Sequence, residues 1–295
     1  MLASNIYKQI IIEMKKIIIT VIICMIFNKT FSNVNPAFEV KVVGKGPAII
    51  LIPGYSCSGE VWYETVEYLK NKYECHVVTL AGYAGVPAID TPILKTVRDQ
   101  LISYVKTKKL IKPILIGHSL GAFMSLWMSS EEPNLFGKII CVDGIPFISS
   151  LMNPNANADS LKISPNYDIN SVVKNFINLP DSGFIERTAQ SMVYQVSDTN
   201  RAKKIAMWQY KSDRRTLGIT LVEISTTDIR KNIAKIKSPI LMLGSIYGSK
   251  ENSAKLLREQ FINANQITIH IADSKHFIMY DQPQWLISEI DNFLN

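Results

Sequence analysis

The residues best placed to do chemistry are Gly117-His118-Ser119-Leu120-Gly121, a Gly-X-Ser-X-Gly run. It follows the apolar stretch Pro113 to Ile116 and precedes the helical pattern Leu120 to Ser130. A serine on a sharp strand-to-helix turn sits in strained backbone, with small residues required two positions to either side. Gly117 and Gly121 meet that requirement. The turn holds the hydroxyl clear of the sheet and beside a helix N-terminus, where free N-H groups favour developing negative charge. Ser119 is therefore the candidate nucleophile.

A serine hydroxyl needs a base in contact with it. Of the four histidines, His76 begins an apolar strand and His270 lies within another, at Ile267 to Ile271. His118 adjoins the serine, and its side chain is expected to leave the turn in another direction. His276 falls in the polar loop Ala272-Asp273-Ser274-Lys275-His276-Phe277, after the last strand and before the final helix. From such a loop an imidazole can reach over the strand ends, so His276 is the candidate general base.

With these pieces in hand the chain resembles the α/β-hydrolase fold superfamily, in its form with a helical cap. The resemblance runs from Phe38 to Leu294. It rests on Leu51-Ile52-Pro53-Gly54-Tyr55, on the Gly117 to Gly121 elbow, and on His276-Phe277 followed by Asp281-Gln282-Pro283 and an amphipathic helix. It implies a serine hydrolase whose oxyanion hole is made by the N-H groups of Tyr55 and Leu120. The usual His-Gly at the start of the first loop is Pro53-Gly54 here, but backbone donors do not depend on side-chain identity. The acid departs from the common pattern: after Ile240 to Leu243 the chain reads Gly244-Ser245-Ile246-Tyr247-Gly248, without a carboxylate. Some members of the superfamily place it at the end of the strand that follows the nucleophile helix. That strand ends Ile140-Cys141-Val142-Asp143-Gly144, and an Asp closing an apolar strand is costly to desolvate unless it is paired. A histidine Nδ1-H is a natural partner. Asp143 is preferred as the acid over Asp228 and Asp273.

The elements that must carry these residues are visible as alternating short apolar runs and amphipathic segments, the pattern of a mostly parallel, doubly wound α/β sheet. Strands are predicted at Phe38 to Val43, Ala48 to Ile52, Cys75 to Leu80, Pro113 to Ile116, Lys138 to Val142, Ile240 to Leu243 and Gln266 to Ile271. Runs such as Ile49-Ile50-Leu51-Ile52 suit strands buried on both faces. Between Val142 and Ile240 the alternation stops, so residues 33–144 and 238–295 form the core in two parts and residues 145–237 a helical cap. Phe147, Met152, Phe176, Met192, Met207 and Trp208 suggest that the cap offers an apolar roof.

At the N-terminus, Met14-Lys15-Lys16, the apolar run Ile17 to Phe27 and the small residues Thr30 and Ser32 have the layout of a cleaved secretory signal covering residues 1–32. Met14 is the expected start of translation. The run is too short to span a bilayer, so no stable membrane anchor is expected after cleavage, and the enzyme is expected to be periplasmic or secreted. The formal charge of +7 falls to +4 once Lys8, Lys15, Lys16, Lys29 and Glu13 are set aside. The excess is spread along the chain without a Lys/Arg block, which argues against nucleic-acid binding. Cys57, Cys75 and Cys141 remain after the signal and cannot all pair within the chain. No Cys or His recurs at metal-ligand spacing, so no metal is expected. The elbow and base supply nucleophile and proton transfer, so no cofactor is expected either. The expected partner is a small-molecule substrate, a carboxylic ester with an apolar part. An aminopeptidase, a lactonase or a carbon-carbon bond hydrolase would use the same residues; the aminopeptidase would draw a carboxylate from Asp159, Asp181, Glu186, Asp198 or Asp213. A non-catalytic binding protein of the same fold is the remaining alternative.

Overall fold

A computed structural model describes residues 36–295; the segment read as a signal, 1–32, lies outside the described residues. Seven strands form one sheet in the order β1-β3-β2-β4-β5-β6-β7, with β1 Phe38–Val43, β2 Ala48–Ile52, β3 Glu74–Leu80, β4 Ile114–His118, β5 Ile139–Val142, β6 Ile240–Gly244 and β7 Ile267–Ile271. All neighbours are parallel except β1, which runs antiparallel to β3 with Phe38 opposite Leu80 and Val43 opposite Cys75. The inner strands are apolar along their whole length because each face is covered. Ile50 and Ile52 pack with Val97, Leu101 and Phe123 on one side, and Ile49 and Leu51 with Trp62, Leu286 and Ile290 on the other. Burying each such aliphatic side chain contributes about 1.5–3 kcal/mol.

Helices α1 (Tyr63–Leu69), α2 (Ile93–Thr107) and α3 (Leu120–Glu131) connect the first five strands. The apolar α3 is buried at every position from Leu120 to Leu126, as a helix seated at the centre of the sheet requires. Because β2, β4, β5, β6 and β7 are parallel, their carboxyl ends share one edge. The segments leaving that edge carry Tyr55, Ser119, Asp143, Ser245 and His276 in turn.

Between β5 and β6 lie α4 (Ala158–Lys162), α5 (Ile169–Ile177), α6 (Phe184–Met192), α7 (Thr199–Lys211) and α8 (Arg214–Ser225). Acidic N-caps start three of them: Asp168, Asp198 and Asp213 accept from the amides of Ser171, Arg201 and Thr216 at 2.8, 2.8 and 2.6 Å. These inserted helices are tied to the sheet and its helices by Glu223 of α8, whose two oxygens accept from the Ile93 and Leu94 amides at 2.8 and 2.7 Å. Pro92 offers α2 no side-chain cap, so a residue from the inserted region supplies it. Farther on, Ile229, Ile233 and Ile236 pack into the same core as Phe123. Helices α9 (Lys250–Gln260), α10 (Ile278–Asp281) and α11 (Pro283–Leu294) complete the chain.

Candidate active site

The nucleophile turn is built by contacts that leave no room for side chains. A Cβ on Gly117 would run into the Gly121 carbonyl, and one on Gly121 into the carbonyl oxygen of Ile52. Ser119 itself has φ +52° and ψ −116°, a strained conformation for a residue with a Cβ. Its amide donates to the Val142 carbonyl at 2.9 Å, which fixes the turn against the end of β5.

Asp143 follows β5 directly, with φ +46°, and its side chain is 1% exposed. Four donors surround it. Oδ1 accepts from the Ser245 amide at 2.7 Å, and Oδ2 from Ser245 Oγ at 2.8 Å, Tyr247 Oη at 2.9 Å and His276 Nδ1 at 2.6 Å. Burial by itself would raise the Asp143 carboxyl, but the His276 hydrogen bond and charge and the Ser245 donors outweigh it and hold it below the usual carboxylate range. The segment after β6, which lacks an acid, thus supplies three of the four donors. A carboxylate accepts only, so Nδ1 carries a proton and Nε2 is left as the basic nitrogen.

The loop bearing His276 is tied down on several sides. Phe277 N donates to the Gln195 carbonyl at 3.0 Å, Ile246 N to the Ser274 carbonyl at 3.2 Å, and Lys275 Nζ to the Val193 carbonyl at 2.6 Å. Asp281 accepts from Ser197 N at 2.9 Å and Ser197 Oγ at 3.0 Å. Ser119 and His276 line one cleft of about 520 Å³ together with Tyr55. Ser119 Oγ has no hydrogen-bond partner among the described residues, and contacts of this kind commonly tighten only when substrate is bound.

Of the two amides assigned to an oxyanion hole, that of Leu120 belongs to the first residue of α3, where helical N-H groups have no partner in their own helix. That of Tyr55 lies in a turn closed by Cys57 N donating to the Gly54 carbonyl at 3.2 Å. The Tyr55 hydroxyl donates to the Leu217 carbonyl of α8 at 2.8 Å. Cys57 also lines the cleft, but burial pushes its thiol up to about 12, so it is no competing nucleophile. Cys57, Cys75 and Cys141 are all free and buried. Among the described residues no cluster of three His, Cys, Asp or Glu side chains is arranged to hold a metal.

The other candidates are engaged elsewhere. Asp228 pairs with Arg230 at 2.6 Å, and His270 with Glu289 at 2.6 Å. His76 is held between Tyr104 Oη at 2.8 Å and Glu74 at 2.9 Å. Two expectations need correction. His118 does not turn away from the site: its ring is buried directly behind that of His276, 4.5 Å away, centroid to centroid. The apolar side of the cleft is not built by the residues expected to roof it. Of the six residues expected to form it, Met192 alone lines the cleft, Phe147 is buried in the core, and Met152 and Met207 are 93% and 37% exposed. Ile148, Ile205 and Phe277 provide apolar wall, while Tyr194, Gln195, Gln209 and Lys275 make the rest polar. Which face of an inserted helix looks inward is set by packing against the core, and composition does not carry that information.

Residues 47–283 match the family model described as alpha/beta hydrolase fold. The chain belongs to the α/β-hydrolase fold family. It is 24% identical over 212 residues to a pimeloyl-[acyl-carrier protein] methyl ester esterase from Vibrio atlanticus, covering 68% of this chain and 76% of the relative. It is 22% identical over 248 residues to a biotin biosynthesis bifunctional protein from Cellvibrio japonicus, covering 84% of this chain but only 47% of that longer protein. Among solved structures, the enol-lactonase of Burkholderia xenovorans superposes with TM-score 0.72 at 13% identity, over 87% of this chain and 96% of the other. A thermophilic esterase from Thermogutta terrifontis superposes with TM-score 0.70 at 15% identity, over 87% and 92%. Family and relatives together place the chain among the hydrolases.

Proposed function

We propose that the protein is an exported serine hydrolase that cleaves a small to medium carboxylic ester by acyl transfer to water. The observation that carries this reading is the 2.6 Å contact between Asp143 Oδ2 and His276 Nδ1, which sets the imidazole tautomer in a cleft shared with the elbow serine. Ser119 Oγ attacks the ester carbonyl as His276 Nε2 takes its proton. The N-H groups of Tyr55 and Leu120 hold the oxyanion, and the imidazolium is stabilised by Asp143. Collapse expels the alcohol, which receives the proton from His276. Water, deprotonated by His276 in turn, attacks the acyl-enzyme and frees Ser119. Relatives that act as methyl ester esterases support an ester as the scissile bond.

The cleft argues for an ester over a peptide N-terminus. No carboxylate lines it among the described residues, so a substrate ammonium would find no counter-charge. Of the carboxylates considered for that role, Asp159 pairs with Lys162 at 3.1 Å and Asp181 with Arg214 at 3.1 Å, while Asp198 and Asp213 cap helices. Glu186 lines a separate cleft with Thr199 and Lys203. The basic start and apolar run of residues 1–32 support export. The test is covalent labelling with a fluorophosphonate probe, expected in the wild type and lost in Ser119→Ala, followed by a screen of p-nitrophenyl esters beside aminoacyl anilides. Ester turnover with no anilide turnover is expected; turnover that survives in Ser119→Ala would end the reading.

A further inference from the structure

His118 closes β4, next to the nucleophile, and its side chain is fully buried. Nε2 lies 3.1 Å from the backbone carbonyl oxygen of His276. A carbonyl only accepts, so Nε2 bears the proton and donates, leaving Nδ1 as an unprotonated acceptor. That Nδ1 is buried without a hydrogen-bond partner. It faces Gly54 at the start of the oxyanion loop, where a Cβ would lie 2.7 Å from it and 3.3 Å from the Cβ of Ser119. The ring also packs 4.7 Å from that of Phe277, centroid to centroid. Burial first, and the neighbouring His276 charge second, hold its imidazole well below the usual histidine range, so it stays neutral while the base cycles.

An orphaned buried acceptor is destabilising, and an apolar ring of similar volume in this pocket would avoid it. What the imidazole adds is one directed bond, and that bond ends on the main chain of the candidate base. We propose that His118 is a positioning residue: wedged against Gly54 on one side and donating to the His276 carbonyl on the other, it sets the position of the His276 imidazole over Ser119. The inference rests on the Ser119, His276, Asp143 reading. It makes the strand end that presents the nucleophile also the gauge for the base, across 158 residues of sequence.

The test compares two donor-free variants, His118→Phe and His118→Met, with His118→Gln, whose amide nitrogen reaches the same place and can donate. Displacing a catalytic group by ~1 Å costs about 10²-fold in rate, so kcat is expected to fall about 30-fold or more in the Phe and Met variants. KM should change by less than about 3-fold, because the His118 side chain is fully buried and offers the substrate no surface. His118→Gln should recover kcat to within about 5-fold of wild type. The low-field proton resonance of His276 Nδ1-H against Asp143 should shift or broaden in Phe and Met and return in Gln. Melting temperatures establish which variants are folded, and if Phe is not, the Met and Gln pair decides. Near wild-type kcat in a folded donor-free variant, or no advantage of Gln over Met, would overturn the proposal. If Ser119→Ala abolishes turnover while the His118 series is flat, this inference alone fails; if Ser119→Ala is active, the catalytic reading fails first.

Discussion

Replacing Asp143 with Asn changes one atom in a site where four donors converge, and the geometry dictates how the site responds. Oδ1 must accept from the Ser245 amide at 2.7 Å, while Oδ2 meets His276 Nδ1 at 2.6 Å, Ser245 Oγ at 2.8 Å and Tyr247 Oη at 2.9 Å. If the amide oxygen stays on the Ser245 side, the NH2 group faces the imidazole. The hydroxyls of Ser245 and Tyr247 can rotate to accept from it, but His276 must then present a lone pair at Nδ1 and carry its proton on Nε2. That tautomer cannot take a proton from Ser119. The opposite orientation preserves the correct tautomer but buries two donors against each other at the Ser245 amide. Such an arrangement costs about 3 kcal/mol, which leaves roughly one molecule in 10² competent. Loss of the negative charge opposite the imidazolium removes further transition-state stabilisation. Together they predict a fall in kcat of about 10⁴, or roughly 5 kcal/mol, with the fold intact. The assay is steady-state hydrolysis of a p-nitrophenyl ester, with circular dichroism to confirm folding and Asp273→Asn, at an exposed position of the loop that carries His276, as a control that retains activity. A folded Asp143→Asn enzyme keeping more than about a tenth of wild-type kcat would refute the assignment of the acid.

Two further outcomes follow from the same carboxylate. Tyr247→Phe removes one of its donors and leaves the ring in place, so kcat should drop by about 10-fold with little change in KM, read by the same assay; an unchanged kcat would mean that the hydroxyl does not support Asp143. The Asp143 carboxyl is held below its ordinary value of 3.8 in the folded protein. Its contribution to stability is therefore present above that value and lost as the pH falls through the lower folded one. The difference in melting temperature between wild type and Asp143→Asn should accordingly be steady at neutral pH and shrink below about pH 4; a gap that widened in acid would contradict the sign.

Local geometry was legible in the chain itself. The sharp turn at Ser119 could be read from five contiguous residues because it is made by nearest neighbours: two glycines, an apolar strand before and a helix after. The strands were legible for the same reason, since burial on both faces demands continuous apolar runs. β4 nonetheless continues two residues past the expected Ile116, to His118, and β1 runs antiparallel, which alternation alone does not reveal. Asp143 was legible as a carboxylate too costly to leave unpaired at the end of an apolar strand. A histidine Nδ1-H was legible as its partner, and His276 meets it at 2.6 Å; the further donors from Ser245 and Tyr247 were not, because they lie 102 and 104 positions away. The place of His118 is not legible locally, because alternation along a strand sends neighbouring side chains apart, and only the approach of a loop 158 residues distant brings His276 to its ring. The insertion between β5 and β6 followed the same logic. Its helices were legible from their pattern and breaks, whereas the side chains that line the cleft depended on how each helix rolled against the core. Short-range sterics and burial write themselves into sequence; the partners of a polar atom and the facing of a helix are settled by the meeting of distant segments.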